Sequence, residues 1–237
     1  MTTRVKLAVV GAIVLLVAGS APLWGPLVLQ RMTFFRVRRV EIVGARYLSP
    51  SDIIARLNVD TMASVWNPTA PLVSRVEGYP GVAHASVRRK LPGTLVVEIV
   101  ERVPVALVSA PGGVRPYDDR GTALPIDPTR MKLDAPVLLE RDLPLLKLLG
   151  AMRAAMPAMY ARVSAARRPG HGEIALDLKL PASGEGAAQT ETIRGNDDLT
   201  LQRLADIEPV EQDLVRKQLR ASEIDLRFRD QVIARLP

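Results

Sequence analysis

Residues 92–106 read Pro92-Gly93-Thr94-Leu95-Val96-Val97-Glu98-Ile99-Val100-Glu101-Arg102-Val103-Pro104-Val105-Ala106, and the surrounding architecture is arranged around this run. Pro-Gly marks a turn. From Thr94 to Glu101 the residues are β-rich and alternate, with Leu95, Val97 and Ile99 on one face and Thr94, Val96, Glu98 and Val100 on the other, the period of a strand. Residues 82–89 on the other side of the Leu91-Pro92-Gly93 turn form a second strand. Further back, Tyr79-Pro80-Gly81 closes a helix that Asn67-Pro68 opens and that carries Leu72, Val73 and Val76. An earlier helix starts at Ser49-Pro50-Ser51-Asp52, with a Ser at the cap, a Pro at the first position and an acid in the first turn. Its expected apolar face is Ile53, Ile54 and Leu57. The segment Phe35-Arg36-Val37-Arg38-Arg39-Val40-Glu41-Ile42-Val43-Gly44 alternates and ends in a Gly turn, another strand. The order is β-α-α-β-β in about seventy residues.

In front of this unit lie 24 residues without a charge, between Lys6 and Arg31. An apolar helix of about 20 residues crosses a bilayer. The twelve Leu, Ile and Val residues from Leu7 to Leu29 favour insertion by about 4–7 kcal/mol before Gly, Ser and Pro are counted. Pro22 and Pro26 bend the outer half, which membrane helices tolerate. A cleaved leader is the competing reading, with Arg4 and Lys6 as its basic region and a small-residue site at Ala18-Gly19-Ser20-Ala21. Apolar residues continue past that site, through Leu23, Trp24, Leu27, Val28 and Leu29. Arg31, Arg36, Arg38 and Arg39 follow the span while only Arg4, Lys6 and the amino group precede it, so the charge count alone leaves orientation open.

The chain has 237 residues and a net charge of +7. Residues 1–40 hold six basic groups and no acid, whereas residues 41–237 hold 26 basic and 25 acidic groups. The body is electrically balanced, which excludes a phosphate-binding face and a nucleic-acid partner. No cysteine is present, and the two histidines, His84 and His171, lie far apart. A thiolate nucleophile, a disulfide and a Cys-based or His-rich metal site are thereby ruled out. Neither G-x-S-x-G, G-x-x-x-x-G-K-[ST] nor H-E-x-x-H occurs. Asp118-Asp119 beside Arg120-Gly121 reads as a turn, and Asn196-Asp197-Asp198 as a helix cap. No catalytic, metal or cofactor residues are assigned, no small-molecule substrate is implied, and the chain is read as a non-enzyme.

Beyond Ala106, residues 107–116 form a strand broken by Pro111-Gly112-Gly113, residues 117–121 a turn, and residues 122–126 a return. Residues 143–160 form a helix carrying Leu145, Leu146, Leu148, Leu149 and Met152, interrupted near Pro157. Residues 173–180 alternate as a strand with one polar face. Residues 181–192 are rich in Ser, Gly, Ala and Gln, a loop. Thr192-Ile193-Arg194-Gly195 is a short strand, and Asp197 and Asp198 are placed to cap a helix with Leu201, Leu204 and Ile207, continuing past Pro209 with Val210, Leu214 and Leu219. Ile224-Asp225-Leu226-Arg227-Phe228 alternates, Arg229-Asp230-Gln231 turns, and residues 232–236 return.

These strings together resemble the FtsQ/DivIB family of bacterial cell-division proteins. The residues that carry the likeness are Phe35, Val37, Val40, Ile42 and Gly44; Trp66-Asn67-Pro68; Pro80-Gly81-Val82; the run from Pro92 to Ala106; and the terminal Ile224-Asp225-Leu226-Arg227-Phe228. The resemblance implies an α+β chain with a short cytoplasmic tail (1–6), a transmembrane helix (7–30), a POTRA domain (34–104) and an FtsQ-type β-domain (105–237). It implies a bitopic inner-membrane protein, its amino terminus cytoplasmic and its domains periplasmic, acting at the division septum. It further implies that the last strands dock the FtsB partner of an FtsB–FtsL pair, while the POTRA domain contacts other division proteins. Carried over, the partner-binding residues are Asp225, Arg227, Arg229, Gln231, Ile233 and Arg235, expected to face away from a Leu226–Phe228 core or to flank the turn. The short tail and the ending at Pro237 make contacts needing longer extensions doubtful. POTRA domains also precede outer-membrane barrels, but a barrel needs at least about eight long strands, and about six short ones are legible after residue 107.

Overall fold

A computed structural model describes residues 3–60, 62–129, 131, 133–180 and 190–236. It divides into two compact units, Met1–Glu101 and Arg102–Pro237. In the first, helix α1 (Thr3–Arg31) leads into a single 3₁₀ turn, Thr33–Phe35. Two arms of α1, Val9–Ser20 and Trp24–Arg31, meet at 72°. The break spans Pro22, whose missing N–H removes a rung from the helix ladder. Among the described residues no single helix is long and apolar enough to cross a membrane; the two bent arms together meet that requirement.

The remaining elements are β1 (Arg39–Val43), α2 (Pro50–Leu57), α3 (Ala70–Glu77), β2 (Val82–Lys90) and β3 (Thr94–Glu101). The sheet order is β1-β3-β2, with β1 parallel and β2 antiparallel to β3. As the alternation predicts, Leu95, Val97 and Ile99 are buried; Val97 and Ile99 pack with Leu48, Leu57, Val76 and Val82 among others, and Leu95 with Val37 and Val65. The alternation from Phe35 does not give a strand of that length. Val37 N–H donates to Ala63 O and Val65 N–H to Phe35 O, both at 2.9 Å, so residues 35–37 pair with the 63–65 segment and the sheet begins at Arg39. Helix α2 starts at Pro50 behind Ser49, but Ile54 is 46% exposed while Ile53 and Leu57 are buried, narrowing the expected apolar face. Helix α3 opens behind Thr69 with Pro71 in its first turn, not at Asn67-Pro68. The Asn67 carbonyl accepts from Arg89 Nη2 at 3.2 Å, tying that turn to β2.

Gly44 ends β1 at φ +91°, and a Cβ there would stand 2.2 Å from Ile99 O. Only glycine permits that approach. The chain then turns under Glu101, whose carboxylate accepts the N–H groups of Arg46, Tyr47 and Leu48 at 2.8–2.9 Å. Glu101, the last residue of β3, therefore also fixes the exit from β1.

The second unit contains β4 (Ala106–Ala110), β5 (Gly113–Tyr117), β6 (Val137–Leu138), α4 (Leu143–Ala155), α5 (Pro157–Arg162), β7 (Val163–Arg167), β8 (Glu173–Lys179), β9 (Thr190–Asn196), α6 (Leu201–Ala205), α7 (Ile207–Arg216), β10 (Glu223–Asp225) and β11 (Ile233–Arg235). They form one mixed sheet in the order β11-β10-β9-β8-β7-β6-β4-β5. Ile174, Leu176, Leu178, Ile193 and Ile224 on its buried face meet Leu145, Leu146, Leu149 and Met152 of α4 and Leu204 and Ile207 of α6 and α7. Strands β6 and β7 were not expected: two residues carry no period, and Val163-Ser164-Ala165-Ala166-Arg167 lacks bulky alternation. The residues of the expected loop at 181–189 lie outside the described ones, and Thr190 already belongs to β9.

Asp197 and Asp198 do not cap the following helix. Thr200 does, its side chain accepting Arg203 N–H, and Asp197 pairs instead with Arg168. The long helix expected there breaks at Asp206, ahead of Pro209. Arg168 also meets Asp142, which caps α4 through Leu145 N–H at 3.0 Å.

Beneath α7, Glu191 of β9 is 2% exposed and lies 3.6 Å from Arg162, which is itself paired with Glu211 at 2.7 Å. Burial, with Glu211 beside it, raises the Glu191 carboxyl to about 7. Because the folded value is the higher one, the stability this group contributes is complete below its ordinary 4.5 and is lost as pH rises through about 7. The Glu191→Gln substitution should remove that decline, of the order of 2–3 kcal/mol, and make the variant the more stable chain at pH 8. Thermal unfolding of both at pH 5 and pH 8 checks it; equal pH slopes would contradict the assignment.

Candidate partner-docking site

The sheet of the second unit has two edges, and they differ. Edge strand β5 contains Pro116, which has no N–H to offer a neighbour. The 122–124 segment lies along it, with Leu124 N–H on Pro116 O at 2.9 Å and a bridge between Tyr117 and Ala123. At the opposite edge β11 pairs with β10 alone, in the register Glu223–Arg235, Ile224–Ala234 and Asp225–Ile233. Among the described residues no chain pairs with its outer side.

Three residues per strand make a weak hairpin unless side chains reinforce it. A chain of charges does so on the face away from the helices. Arg235 meets Glu223 at 3.2 Å, Glu223 lies 3.8 Å from Arg194, and Arg194 meets Glu173 at 2.9 Å. Glu173 meets Arg227 at 2.7 Å, and Arg227 holds Asp225 through Nε at 2.9 Å and Nη2 at 2.7 Å. The Arg227 hydrogen bonds hold the Asp225 carboxyl below the usual carboxylate range, and Asp225 in turn raises Arg227. Glu173 is lowered by Arg194 and then by Arg227. Asp225, Glu173 and Arg227 are each shifted toward the charged form.

The register places two expected residues differently. Asp225, expected to face away from the core, is 1% exposed and lies under Arg227. Phe228, expected in the core, is 51% exposed. Arg227 folds over Asp225, and because β10 stops at Asp225, opposite Arg194, the alternation has no strand to obey at Phe228. Residues 226–231 form a loop instead. Arg203 of α6 pins it, donating to the carbonyls of Leu226, Phe228 and Gln231 while holding Asp206 at 2.6 Å. No sequence signal marks Arg203 for that task. Arg227 is half-buried and structural, whereas Arg229, Gln231, Ile233 and Arg235 are exposed. With Phe228 and Leu236, also 51% exposed, they rim the open edge.

Among the described residues no group of three or more His, Asp or Glu side chains could hold a metal ion. Asp118, read as a turn former, is buried and accepts the N–H groups of Arg120 and Thr122 and a bond from Arg102. His84 pairs with Glu77 at 2.7 Å on the surface.

A β-α-α-β-β unit followed by an open-edged, eight-stranded mixed sheet defines a POTRA-containing, two-unit class of chain. Residues 35–102 match the model of the POTRA domain of FtsQ type. The chain is 31% identical to the cell division protein FtsQ of Rhodothermus marinus over 245 residues, which covers 97% of this chain and 86% of that one. The FtsQ of Zymomonas mobilis is 31% identical over 168 residues, 65% of this chain and 51% of its own. That of Novosphingobium aromaticivorans is 35% identical over 91 residues, 38% and 28% respectively. The chain belongs to the FtsQ family of cell-division proteins.

Asp225→Asn should destabilise the second unit by about 1–3 kcal/mol at pH 7, the worth of charge-assisted bonds to a buried carboxylate. Since the folded Asp225 value is depressed, its contribution is present above the ordinary 3.8 and lost as pH falls through the lower folded value. Unfolding curves of variant and wild type should therefore converge in strong acid. A constant gap from pH 7 to pH 2 would show that the carboxylate charge is not what holds the strand.

Proposed function

We propose that the chain is a bitopic membrane scaffold of the division machinery that works by assembly and without catalysis. Residues 7–30 are the inner-membrane span, the amino terminus is cytoplasmic, and the POTRA domain (34–104) and β-domain (105–237) stand on the periplasmic side at the septum. The length and apolar content of the two helical arms support the span. The POTRA domain contacts other division proteins. The β-domain takes up the FtsB partner of an FtsB–FtsL pair and so helps control septal wall synthesis.

The observation that carries the docking reading is the unpaired outer side of β11, next to exposed Phe228, Ile233 and Leu236. An edge strand offers N–H and C=O groups to an incoming strand, and exposed aromatic and aliphatic side chains supply the anchoring contacts. Arg229, Gln231 and Arg235 form the polar rim, while Asp225 and Arg227 hold the strand in place without touching the partner.

Ile233→Glu and Phe228→Ala, both at exposed positions, should leave the unfolding temperature unchanged and weaken binding of purified FtsB–FtsL complex by about 10- to 100-fold. Affinity at the wild-type level in both variants would refute docking at this edge. Depletion of the protein in its native host should give filaments with spaced nucleoids and no septa. Cells of normal length with a misassembled envelope would instead move the POTRA domain into export or outer-membrane assembly.

A further inference from the structure

The cationic cluster at the end of α1 lies outside the sheet edge described above, and the rest of the first unit shows how unusual it is. Elsewhere in that unit Arg88 and Lys90 meet Glu98 and Glu41, and Arg75 and Arg89 donate to carbonyls. Arg46 and Arg56 lie over the rings of Tyr47 and Tyr79. The guanidinium groups of Arg31, Arg36, Arg38 and Arg39 make no such contact among the described residues. Arg31, Arg38 and Arg39 are exposed, and no carboxylate occurs in the sequence before Glu41. Interleaved with them, Met32 and Phe34 are 46% and 58% exposed.

The cluster is also held close to the helix end. Gln30 Nε2 donates to Trp66 O at 3.0 Å. Phe34, Phe35 and Trp66 pack edge to face in series, at 5.1 and 6.0 Å. The N–H groups of Arg38 and Arg39 both donate to Gly93 O. The helix thus passes into the folded unit through a fastened joint in which the arginines have fixed places.

We propose that Arg31, Arg36, Arg38 and Arg39 bind the phosphate groups of anionic phospholipids in the leaflet facing the folded units, with Met32 and Phe34 at the hydrocarbon boundary. The proposal rests on the membrane-span reading above. Guanidinium matches phosphate oxygens in pairs, and an anionic leaflet attracts juxtamembrane basic residues by about 1 kcal/mol each. The same contacts address a topological problem. Four arginines on the translocated side run against the usual charge bias, and headgroup phosphates supply the counter-charge that the protein itself lacks there. Because the surface potential decays within a Debye length of about 8–10 Å, Arg31 and Arg36 should count for more than Arg38 and Arg39.

The test uses the full chain in nanodiscs of mixed neutral and phosphatidylglycerol lipid, with native mass spectrometry counting the lipids retained on the released protein. Wild type should retain phosphatidylglycerol above its bulk share. Changing all four arginines to Gln should abolish the enrichment, changing all four to Lys should keep most of it, and single Gln variants at 31 or 36 should lower it by about fivefold each. Wild-type retention at the bulk ratio, or an unchanged ratio in the Gln variant, overturns the proposal. Displacement of the lipid by inorganic phosphate, at an ionic strength where chloride leaves it bound, would assign the cluster to a free anion and overturn it too. A chain that never enters the nanodisc overturns the span reading itself, an outcome visible before any lipid is counted.

Discussion

The grip of Arg227 on Asp225 and Glu173 determines whether the last two strands belong to the sheet. Strands β10 and β11 contribute three residues each, too few ladder bonds to hold against the entropy of a free chain end. What fixes them is a carboxylate buried one strand in from the edge, covered by a guanidinium that reaches across β9 to β8. The pairing is stringent because Asp225 is buried: a carboxylate there is tolerated only with its charge compensated and its oxygens bonded. Each further link, Arg194 to Glu173 and Arg235 to Glu223, is half-exposed and individually weak. Their value is positional, since together they lay these charged side chains along the face of the sheet.

The two sheet edges show that the open one is not an oversight of folding. At β5 the chain places a proline and folds the 122–124 segment along the strand, two of the devices by which sheets are protected from foreign pairing. At β11 neither device is present, and the loop that precedes it is stiffened by Arg203 rather than left to fray. Three carbonyls bonded to one arginine set the path from Leu226 to Gln231, so Phe228 is presented at a fixed place. A rigid, apolar-rimmed edge loses little entropy when a partner orders against it.

Much of this was legible in the sequence where a single local rule governs. The alternation from Thr94 to Glu101 gives β3 because one face is buried in the core and both edges are paired, with β1 and β2. The turn at Asp118 follows from turn chemistry. The misreadings share another cause, competition for a side chain by something distant in sequence. Asp197 has the composition of a cap but is drawn to Arg168, and Thr200 takes its place. Asn67-Pro68 looks like a helix start until Arg89 bonds to Asn67. Asp225 alternates outward by period, yet Arg227 two residues on folds over it. Residues 35–37 alternate like a strand and spend their hydrogen bonds on the 63–65 segment. Periodicity reports which face a residue could occupy, and only the tertiary partner decides whether that face is water.

The same distinction accounts for the charge of the chain. From residue 41 onward bases and acids balance, and most of the arginines of the second unit are found in pairs with carboxylates or clamped on carbonyls. Balance in composition has become neutrality in structure, at the level of individual contacts. The first forty residues hold no acid, and among the described residues Arg31, Arg36, Arg38 and Arg39 meet no carboxylate from the rest of the chain. An arginine cluster fixed at a helix end and unmatched by its own fold retains its full field toward whatever lies beside it. Under the proposed span, that neighbour is the membrane surface through which the apolar helix enters.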